Sequence, residues 1–482
     1  MNHNTLELTN QQRQCVKFDP VGDLLIQGIP GSGKSTILLA RAQFLKEKSP
    51  KDSILVLTYS RVLSNYVRQL SDKLNTTPLD AKTFHQWGQQ LLEETDYPHT
   101  RLILGDQRKE AIKFAKNIVN KEKNYNASFP NLKKESQRAL LDFLSDEIEW
   151  IKGHGITSRE EYLGIKRAGR GQDVKVTKEN RETIYDILEK YNELLINHYK
   201  YQGIDGDDLA RIIIQKVNKI PDRLRPDHIL IDEAQDLHTM QLKAIKSIAK
   251  KSLTIAADKG QQIFRRTFTW KSAGITVIGN RSQLLKQTFR STKQIVRLAN
   301  DFQSHDKHYI EDKDFTVANE PDVIGKVPEL CICNDLQSEQ KHILEHVKTI
   351  RSSYPEDTIG IIAQSHDSLD KIKEILDAKG IPVYRVKEDK ADILSPGVKL
   401  ITFQSSKGLE FDHVIITDLR KGKLPFSPIP EGEEEESFIS RERKKLYVAM
   451  TRAKKTLLLV ATKKISSFID DLNPRYYSLK KK

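Results

Sequence analysis

The chain has 482 residues, with 79 Lys and Arg against 66 Asp and Glu and a formal net charge of +13. This length allows about two to four domains. The basic excess suits a polyanionic partner, although a solvated basic surface is the ordinary alternative. Three cysteines are too few for a disulfide framework and lack the spacing of a zinc site. No apolar run approaches the ~18 residues of a membrane span, and no signal peptide opens the chain, so we expect a soluble cytoplasmic protein without a membrane partner.

The segment Gly28–Ser35 fits the pattern G-x-x-x-x-G-K-S/T at every fixed position. An apolar run precedes it and a helix-compatible run follows it, which is the strand–loop–helix context of a phosphate-binding loop. Glycines there let backbone N–H groups surround phosphate oxygens at a helix N-terminus, so we expect ATP to bind here with Mg²⁺. Lys34 is predicted to contact the β- and γ-phosphates, and the Ser35 hydroxyl to bind Mg²⁺. The residues assigned to the nucleotide in this segment are Gly28, Gly31, Ser32, Gly33, Lys34, Ser35 and Thr36.

A second motif places two carboxylates directly after an apolar strand. Residues 229–231 form the apolar run, and Asp232 and Glu233 follow it. Asp232 is predicted to hold the metal ion, directly or through water. Glu233 is predicted to polarise the water that attacks the nucleotide.

Apolar runs typical of strands alternate with helical stretches along most of the chain, which indicates parallel α/β sheets. Residues 92–204 differ because they are charged and helical, and they are predicted to form an insertion in the first α/β domain. The last three residues, Lys480–Lys482, are expected to be disordered. The predicted strands are 54–58, 229–231, 253–257, 358–362, 398–402, 413–417 and 456–460.

Seven further segments accompany these two motifs in a fixed order along the chain. They are Leu8–Arg13, Ile54–Ser60, Thr83–His85, Ala257–Phe264, Gln287–Thr292, Val398–Phe411 and Glu442–Ala453. As a set, the motifs resemble those of the UvrD/Rep/PcrA-like superfamily-one DNA helicases. The resemblance implies an α/β fold of two RecA-like parallel-sheet P-loop domains with a helical insertion in the first. The implied limits are 1–91 and 205–286 for the first RecA-like domain, 92–204 for the helical insertion and 287–482 for the second RecA-like domain.

The resemblance also assigns side chains around the nucleotide. Gln12 would bind the adenine edge, since a carboxamide offers a donor and an acceptor together. Phe289 would stack on the adenine and Glu410 would reach the ribose. The residues implied at the γ-phosphate are Gln261, Arg290 and Arg452. Both arginines belong to the second domain, so they would complete the catalytic site only when the cleft between the domains closes.

The same resemblance implies a path for a nucleic acid strand. The implied contacts are Tyr59, Thr83, His85, Phe264, Trp270 and Thr402. Aromatic rings among them would stack on bases whatever the sequence. Core packing is the alternative to base stacking for Phe264 and Trp270, and also for Phe84 in the segment Thr83–His85. Arg266 stands where the family usually has a stacking Trp, and Trp270 is offered as its replacement.

The activity implied is that of an ATP-dependent translocase or helicase on single-stranded DNA, moving 3′ to 5′ and acting at single-strand/duplex junctions. The alternative is a DNA-stimulated ATPase that serves as a sensor or regulatory subunit of a nuclease-containing system, such as an anti-phage pair. A protein remodeller is a third reading. Stacking and phosphate contacts serve DNA and RNA alike, so both substrates stay open.

One departure from the larger family members concerns the second domain. In those members a large helical accessory domain precedes the segment that begins at Val398. Here only 15 residues separate Pro382 from Val398, so that accessory insertion is absent. The chain is therefore identified as a compact relative in which unwinding by the isolated monomer is expected to be weak.

Overall fold

The computed structural model describes thirteen stretches of the chain, with only the backbone described for 137–139. They are residues 8–73, 78–95, 97, 101–123, 137–165, 176–258, 270–288, 291–306, 318–386, 392–427, 429, 435–462 and 464–482. Among the helices of these stretches, none is long and apolar enough to cross a membrane.

The first sheet has six strands, all parallel where they pair. They are β1 (Gly22–Gly28), β2 (Ile54–Thr58), β3 (Asp80–Thr83), β6 (His228–Ile231), β7 (Ser252–Ala257) and β8 (Ser282–Leu285). Their order is β3–β2–β6–β7–β1–β8. The central strands β6 and β7 are buried along their whole length, as expected for a parallel sheet covered on both faces. Since β6, β7 and β1 are neighbours, the loops at their carboxyl ends meet at one edge of the sheet.

Helices cover both faces of this sheet and contribute to separate buried clusters. Thr9 and Thr83 begin two of these helices through capping boxes with Gln12 and Gln86. Each capping box satisfies backbone N–H groups at the start of its helix, which fixes where α1 and α4 begin. The helices are α1 (Asn10–Lys17), α2 (Lys34–Lys48), α3 (Arg61–Lys73), α4 (Phe84–Glu93), α9 (Asp208–Lys216) and α10 (Thr239–Ile248).

A helical unit with its own buried cluster stands between α4 and α9. It contains α5 (Gly105–Lys123), α6 (Gln137–Gly153), α7 (Arg159–Gly164) and α8 (Lys178–Asn197). Two short parallel strands, β4 (Leu102–Ile103) and β5 (Ile204–Asp205), pair where the chain enters and leaves the unit. A separate core of this kind supports the predicted helical insertion. The limits of the insertion, residues 92 and 204, stay a prediction.

The second sheet has seven strands, again parallel. They are β9 (Glu329–Cys333), β10 (Thr358–Ala363), β11 (Val383–Arg385), β12 (Gly397–Thr402), β13 (Phe411–Ile416), β14 (Ala453–Thr462) and β15 (Ser478–Lys481). Their order is β11–β12–β10–β13–β14–β9–β15. The helices of this half are α11 (Lys293–Gln303), α12 (Leu336–Ser353), α13 (His366–Asp377) and α14 (Glu435–Met450). The predicted α/β class with two parallel-sheet, RecA-like halves is confirmed.

The expectation of a disordered C-terminal tail is wrong. Strand β15 pairs in parallel with β9, and the backbone N–H of Asn334 donates to the Lys482 carbonyl at 2.8 Å. Lys480 Nζ lies 2.6 Å from Glu329 Oε2. Backbone pairing and an ion pair thus hold the three C-terminal lysines in place, although their composition alone predicts a disordered, solvated tail.

Helix α3 links the two halves, because it contributes apolar side chains to a core cluster of each. Leu63 and Tyr66 are buried in the same cluster as residues of β12, β13 and β14. The Ile393 N–H donates to Gln69 Oε1 at 2.9 Å. Gly408 has a φ of +77°, and a Cβ there would lie 2.8 Å from Leu63 Cδ1. The second half therefore packs against α3 of the first half, and this contact leaves no room for a side chain at Gly408.

Candidate functional site

Glycines shape the loop between β1 and α2. Gly31 and Gly33 have φ values of +75° and +81°, which side-chain-bearing residues rarely adopt. A Cβ at Gly28 would lie 2.4 Å from Ser32 Oγ, so the loop approaches the strand too closely for any other residue. Ser32 Oγ is buried without a hydrogen-bond partner among the described residues. The loop therefore closes tightly onto the N-terminus of α2, where the helix dipole favours anions.

Lys34 lies inside this loop with 7 % of its side chain exposed. Its Nζ donates to the carbonyls of Gly28 at 2.7 Å and Ile29 at 3.0 Å. It also lies 3.3 Å from Asp258 Oδ2, at the carboxyl end of β7. Burial raises the pKa of Asp258 although Lys34 opposes the shift. The ammonium is thus held within the loop that is predicted to bind phosphates.

The two predicted magnesium ligands are in direct contact. Ser35 Oγ donates to Asp232 Oδ2 at 2.6 Å. Burial, reinforced by the neighbouring Glu233 carboxylate, raises the pKa of Asp232 to about 6. A buried carboxylate beside a hydroxyl offers the hard oxygen ligands that Mg²⁺ prefers, so these residues fit the ion.

Glu233 sits in an unusual backbone conformation directly after Asp232. Its φ of 52° and ψ of 41° are left-handed, which is costly for a residue with a side chain and is often found at functional sites. Its Oε2 accepts a hydrogen bond from Gln235 Nε2. Burial alone would raise the pKa of this carboxyl, but three nearby cations hold it below its usual value: Lys407, Lys34 and Arg452. The carboxylate is therefore ionised at neutral pH, as a group that polarises water must be.

Lys407 crosses from the second half into this acidic turn. It follows β12, and its side chain is 5 % exposed. Its Nζ forms an ion pair with the fully buried Asp236 and lies 3.8 Å from Glu233 Oε2. Sequence analysis assigned no role to Lys407. In the sequence, Lys407 stands out only because it precedes Gly408 shortly after a predicted strand. That position does not reveal that Lys407 pairs with Asp236.

Arg452 also approaches from the second half and is 1 % exposed. Its Nε donates to the Val448 carbonyl at 2.9 Å, and an Nη donates to Thr451 Oγ1 at 3.0 Å. Burial, with Asp258 nearby, raises the pKa of Tyr447 on α14, the helix that ends just before Arg452. The C-terminal end of α14 thus faces the carboxylates at the edge of the first sheet.

Gln12, the predicted adenine contact, lies against the phosphate-binding loop. Its Oε1 accepts from the Thr9 N–H at 2.9 Å, and its Nε2 donates to the Ser32 carbonyl at 3.0 Å. A Cβ at Gly33 would lie 2.6 Å from Gln12 Nε2. The carboxamide therefore bridges α1 and the loop, and its role toward adenine stays a prediction.

Arg41 on α2 is a buried residue that sequence analysis missed. It is 0 % exposed, and burial lowers its pKa to about 10. Its guanidinium also donates to Thr254 Oγ1 on β7 at 2.9 Å. At the end of α1 it donates to four backbone carbonyls, those of Cys15, Val16, Phe18 and Asp19. Arg41 therefore fastens α1 to the helix that follows the phosphate-binding loop.

Three predicted nucleic-acid contacts line one open cavity of about 640 Å³: Tyr59, Thr83 and His85. Arg61 and Arg101 line the same cavity. Sequence analysis assigned no role to either arginine. Their guanidinium groups suit phosphates, and the side chains of Tyr59 and His85 suit bases. The cavity lies beside the carboxyl ends of β2 and β3, on the same edge of the sheet as the nucleotide residues.

Two aromatic residues pack against the core of the first half. Phe84 is 2 % exposed and belongs to the main buried cluster there, as the packing alternative expects. Trp270 is partly buried and packs against the same cluster. A ring so placed can still offer an edge to a ligand, so the stacking role of Trp270 stays a prediction.

Thr402 and Glu410 flank the loop that carries Lys407. Thr402 ends β12, and its hydroxyl donates to Ser405 Oγ at 3.1 Å. Glu410 lies 3.4 Å from Lys454 Nζ. Thr36 lies in the first turn of α2. The nucleic-acid, ribose and nucleotide roles predicted for these three residues stay predictions.

Four predicted site residues lie outside the described part of the chain. They are Gln261, Phe264, Phe289 and Arg290. Their roles at the γ-phosphate, the nucleic acid and the adenine stay predictions.

A parallel sheet with a glycine-rich phosphate loop after β1 and a carboxylate pair after β6 defines a P-loop nucleoside triphosphatase. Residues 8–286 match the family model of the UvrD/REP helicase N-terminal domain. Residues 284–390 and 385–464 match that of the UvrD-like helicase C-terminal domain. The chain belongs to the UvrD/REP helicase family.

Relatives in this family have names that state a helicase activity. The chain is 27 % identical over 407 residues to a "Probable DNA helicase II homolog" of Mycoplasma capricolum, covering 79 % of this chain and 52 % of that protein. It is 23 % identical over 488 residues to a "Probable DNA helicase" of Mycoplasma pneumoniae, covering 94 % and 83 %. It is 26 % identical over 317 residues to the "ATP-dependent DNA helicase PcrA" of Bacillus subtilis, covering 60 % and 38 %. The chain thus spans about half the length of the first of these relatives.

Proposed function

We propose that this protein is an ATP-dependent translocase or helicase on single-stranded DNA that hydrolyses ATP between its two RecA-like halves. The observation that carries the proposal is the approach of Lys407 to Glu233 and Asp236. Because Lys407 belongs to the second half and both carboxylates belong to the first, the charge state of the catalytic carboxylate depends on contact between the halves. A DNA strand bound across both halves would then sense the nucleotide state.

Each residue of the nucleotide site has a distinct proposed task. Lys34 and the backbone of the glycine loop would bind the β- and γ-phosphates, and Ser35 with Asp232 would hold Mg²⁺. Bound Mg²⁺ supplies charge neutralisation between the phosphates. Glu233 would orient and polarise the attacking water, because its pKa is held low enough to keep it ionised. Arg452, with Arg290, would stabilise negative charge that develops on the γ-phosphate.

The cavity lined by Tyr59, His85, Arg61 and Arg101 is the proposed path of the strand on the first half. Thr402 would contact the same strand from the second half. Alternate closing and opening of the halves would move DNA past these contacts, and the 3′-to-5′ direction is taken from the family. The names of the relatives favour DNA over RNA as the substrate.

A second candidate is a DNA-stimulated ATPase that acts as a sensor or as a regulatory subunit of a nuclease-containing system. The observation that favours it is the direct pairing of β11 with β12, with only residues 386–396 between them. No room is left there for the large accessory domain of longer relatives. The isolated chain would then hydrolyse ATP on DNA and separate strands poorly.

One set of assays tests both candidates. We expect single-stranded DNA to stimulate phosphate release more strongly than duplex DNA or RNA, because stacking needs exposed bases. We also expect only weak unwinding of a 3′-tailed duplex by the purified chain. Equal ATPase rates with and without any nucleic acid would contradict both candidates. Efficient unwinding of long duplexes, with protein scarcer than DNA ends, would exclude the sensor.

Replacement of Trp270 by Ala tests whether this ring stacks on bases. If it does, affinity for single-stranded DNA should fall by about 1–3 kcal/mol, as measured by fluorescence anisotropy. Trp270→Phe is the matched control because it keeps an aromatic face and should retain most of the affinity. An Ala variant with a lower Tm and unchanged DNA affinity would assign the ring to core packing alone.

A further inference from the structure

A cluster of ligand-type side chains lies beneath the helical insertion, away from the nucleotide loop. Glu149 comes from α6, Asp207 precedes α9 and His238 precedes α10. One ligand atom from each residue lies within 4.8 Å of the other two. His238 Nε2 is 3.1 Å from Glu149 Oε1 and 3.7 Å from Asp207 Oδ1. Three separate elements thus direct one nitrogen and two oxygens at a common point.

Nε2 of His238 can donate a hydrogen bond to only one of the two carboxylates. An imidazole nitrogen carries at most one proton, and the shorter distance gives that proton to Glu149. The other oxygen of Asp207, Oδ2, is 3.2 Å from an Nη of Arg108. Arg108 therefore orients the Asp207 carboxylate and leaves Oδ1 facing the imidazole. Outer partners that fix a ligand in this way are typical of metal sites.

The surrounding charges favour a further cation. Four carboxylates meet here: Glu149, Asp205, Asp207 and Asp208. The two buried cations near them, Arg108 and Lys152, contact Asp205 at 3.3 and 3.0 Å, and Lys152 also pairs with Asp208 at 2.6 Å. Arg211, which is 42 % exposed, adds a contact to Asp208. The four carboxylates therefore outnumber these three cations. Positive charge at the point shared by Glu149 and Asp207 would relieve this excess.

An open cavity of about 430 Å³ provides access to the cluster. Glu149, Asp207 and His238 all contribute to its wall. His238 itself is only 7 % exposed, so its ring is held in place at the wall of this cavity. A metal ion could therefore reach the three ligands and keep one position open to solvent.

We propose that Glu149, Asp207 and His238 bind a divalent transition metal ion of the zinc type, with an open coordination position toward the cavity. One imidazole and two carboxylates form a ligand set that zinc accepts. The site is separate from the Ser35–Asp232 pair proposed for Mg²⁺. Bound metal would tie α6 of the insertion to the start of α10, close after the acidic turn that holds Glu233. The inference does not depend on the proposed helicase activity.

The test is a metal titration of nucleotide-free protein that has been treated with a chelator and dialysed. Wild type should bind one equivalent of Zn²⁺ by calorimetry, develop a Co²⁺ absorption band, and show a higher Tm with Zn²⁺. Glu149→Gln and His238→Asn should each weaken binding about tenfold or more, the loss already caused by removing an outer partner of a ligand. His305→Asn, an exposed histidine of the second half, and Asp232→Asn should bind as wild type does.

Glu149→Gln is the deciding variant if His238→Asn fails to fold, because the Glu149 side chain is 35 % exposed. Unchanged stoichiometry and affinity in a folded Glu149→Gln protein would overturn the proposal and assign the metal to surface groups. An absence of Zn²⁺ binding in wild type would also overturn it, leaving a hydrogen-bonded cluster that needs no ion.

Discussion

Replacement of Glu233 by Gln should abolish ATP turnover while leaving nucleotide binding intact. The amide keeps the size of the side chain and can keep a contact with Gln235, but it cannot accept a proton from water. Loss of a positioned general base costs roughly 10²–10⁴ in rate. The measurement is phosphate release with single-stranded DNA at saturating ATP, beside the affinity for a fluorescent ATP analogue.

The control for this substitution is Glu374→Gln, an exposed glutamate on α13. It should hydrolyse ATP at the wild-type rate. A Glu233→Gln protein with near-normal kcat would remove Glu233 from the catalytic role, and Asp258 would become the next carboxylate to test. Loss of ATP binding along with turnover would point to a collapsed loop instead.

Replacement of Lys407 by Met should also cause a large loss of turnover. Asp236 is fully buried and the Lys407 side chain is 5 % exposed, so the substitution takes the lysine cation away from a buried carboxylate. Breaking such a pair costs about 3–5 kcal/mol, which is on the order of a hundredfold or more in kcat if the whole cost falls on the closed state. Methionine keeps the length and apolar stem of lysine, so packing changes little.

The contact between halves gives this prediction a distinctive readout. If Lys407 acts through Asp236, the double variant Asp236→Asn, Lys407→Met should be far less impaired than the two single losses added together. Lys373→Met is the matched control, because Lys373 is 40 % exposed and pairs with Asp377 on α13. Wild-type turnover in Lys407→Met would show that the ion pair serves neither closure nor catalysis.

The backbone conformation of the glycine-rich loop was predictable from sequence because it depends on neighbouring residues. Gly31, Gly33 and Lys34 act within one turn of backbone, so their spacing carries the geometry. The position of Asp232 and Glu233 was predictable for a similar reason, since a strand ends immediately before them. The parallel sheets followed from the alternation of strands and helices, because antiparallel hairpins need short connections that this chain lacks at those places.

Contacts between distant segments were not predictable in this way. The ion pair of Lys407 with Asp236 joins residues 171 positions apart, and neither residue type is unusual in its own segment. Arg101 and Tyr59 line one cavity although they lie far apart in the sequence. The C-terminal lysines become a strand because β9 offers an open edge, a fact that lies in the topology and not in the tail.

The hydrogen bonds of Arg41 to the end of α1 bear on how the predicted nucleotide site would distinguish one nucleotide from another. Its guanidinium holds the end of α1, and Gln12 holds the middle of α1 to the phosphate-binding loop. The helix predicted to contact the base and the loop predicted to contact the phosphates are therefore joined by direct hydrogen bonds. Selection among nucleotides would cost little reorganisation on this side of the cleft. The second half would then be the part that moves during the cycle. ATP would be recognised by a surface that does not change, and the time of hydrolysis would depend on when the halves close.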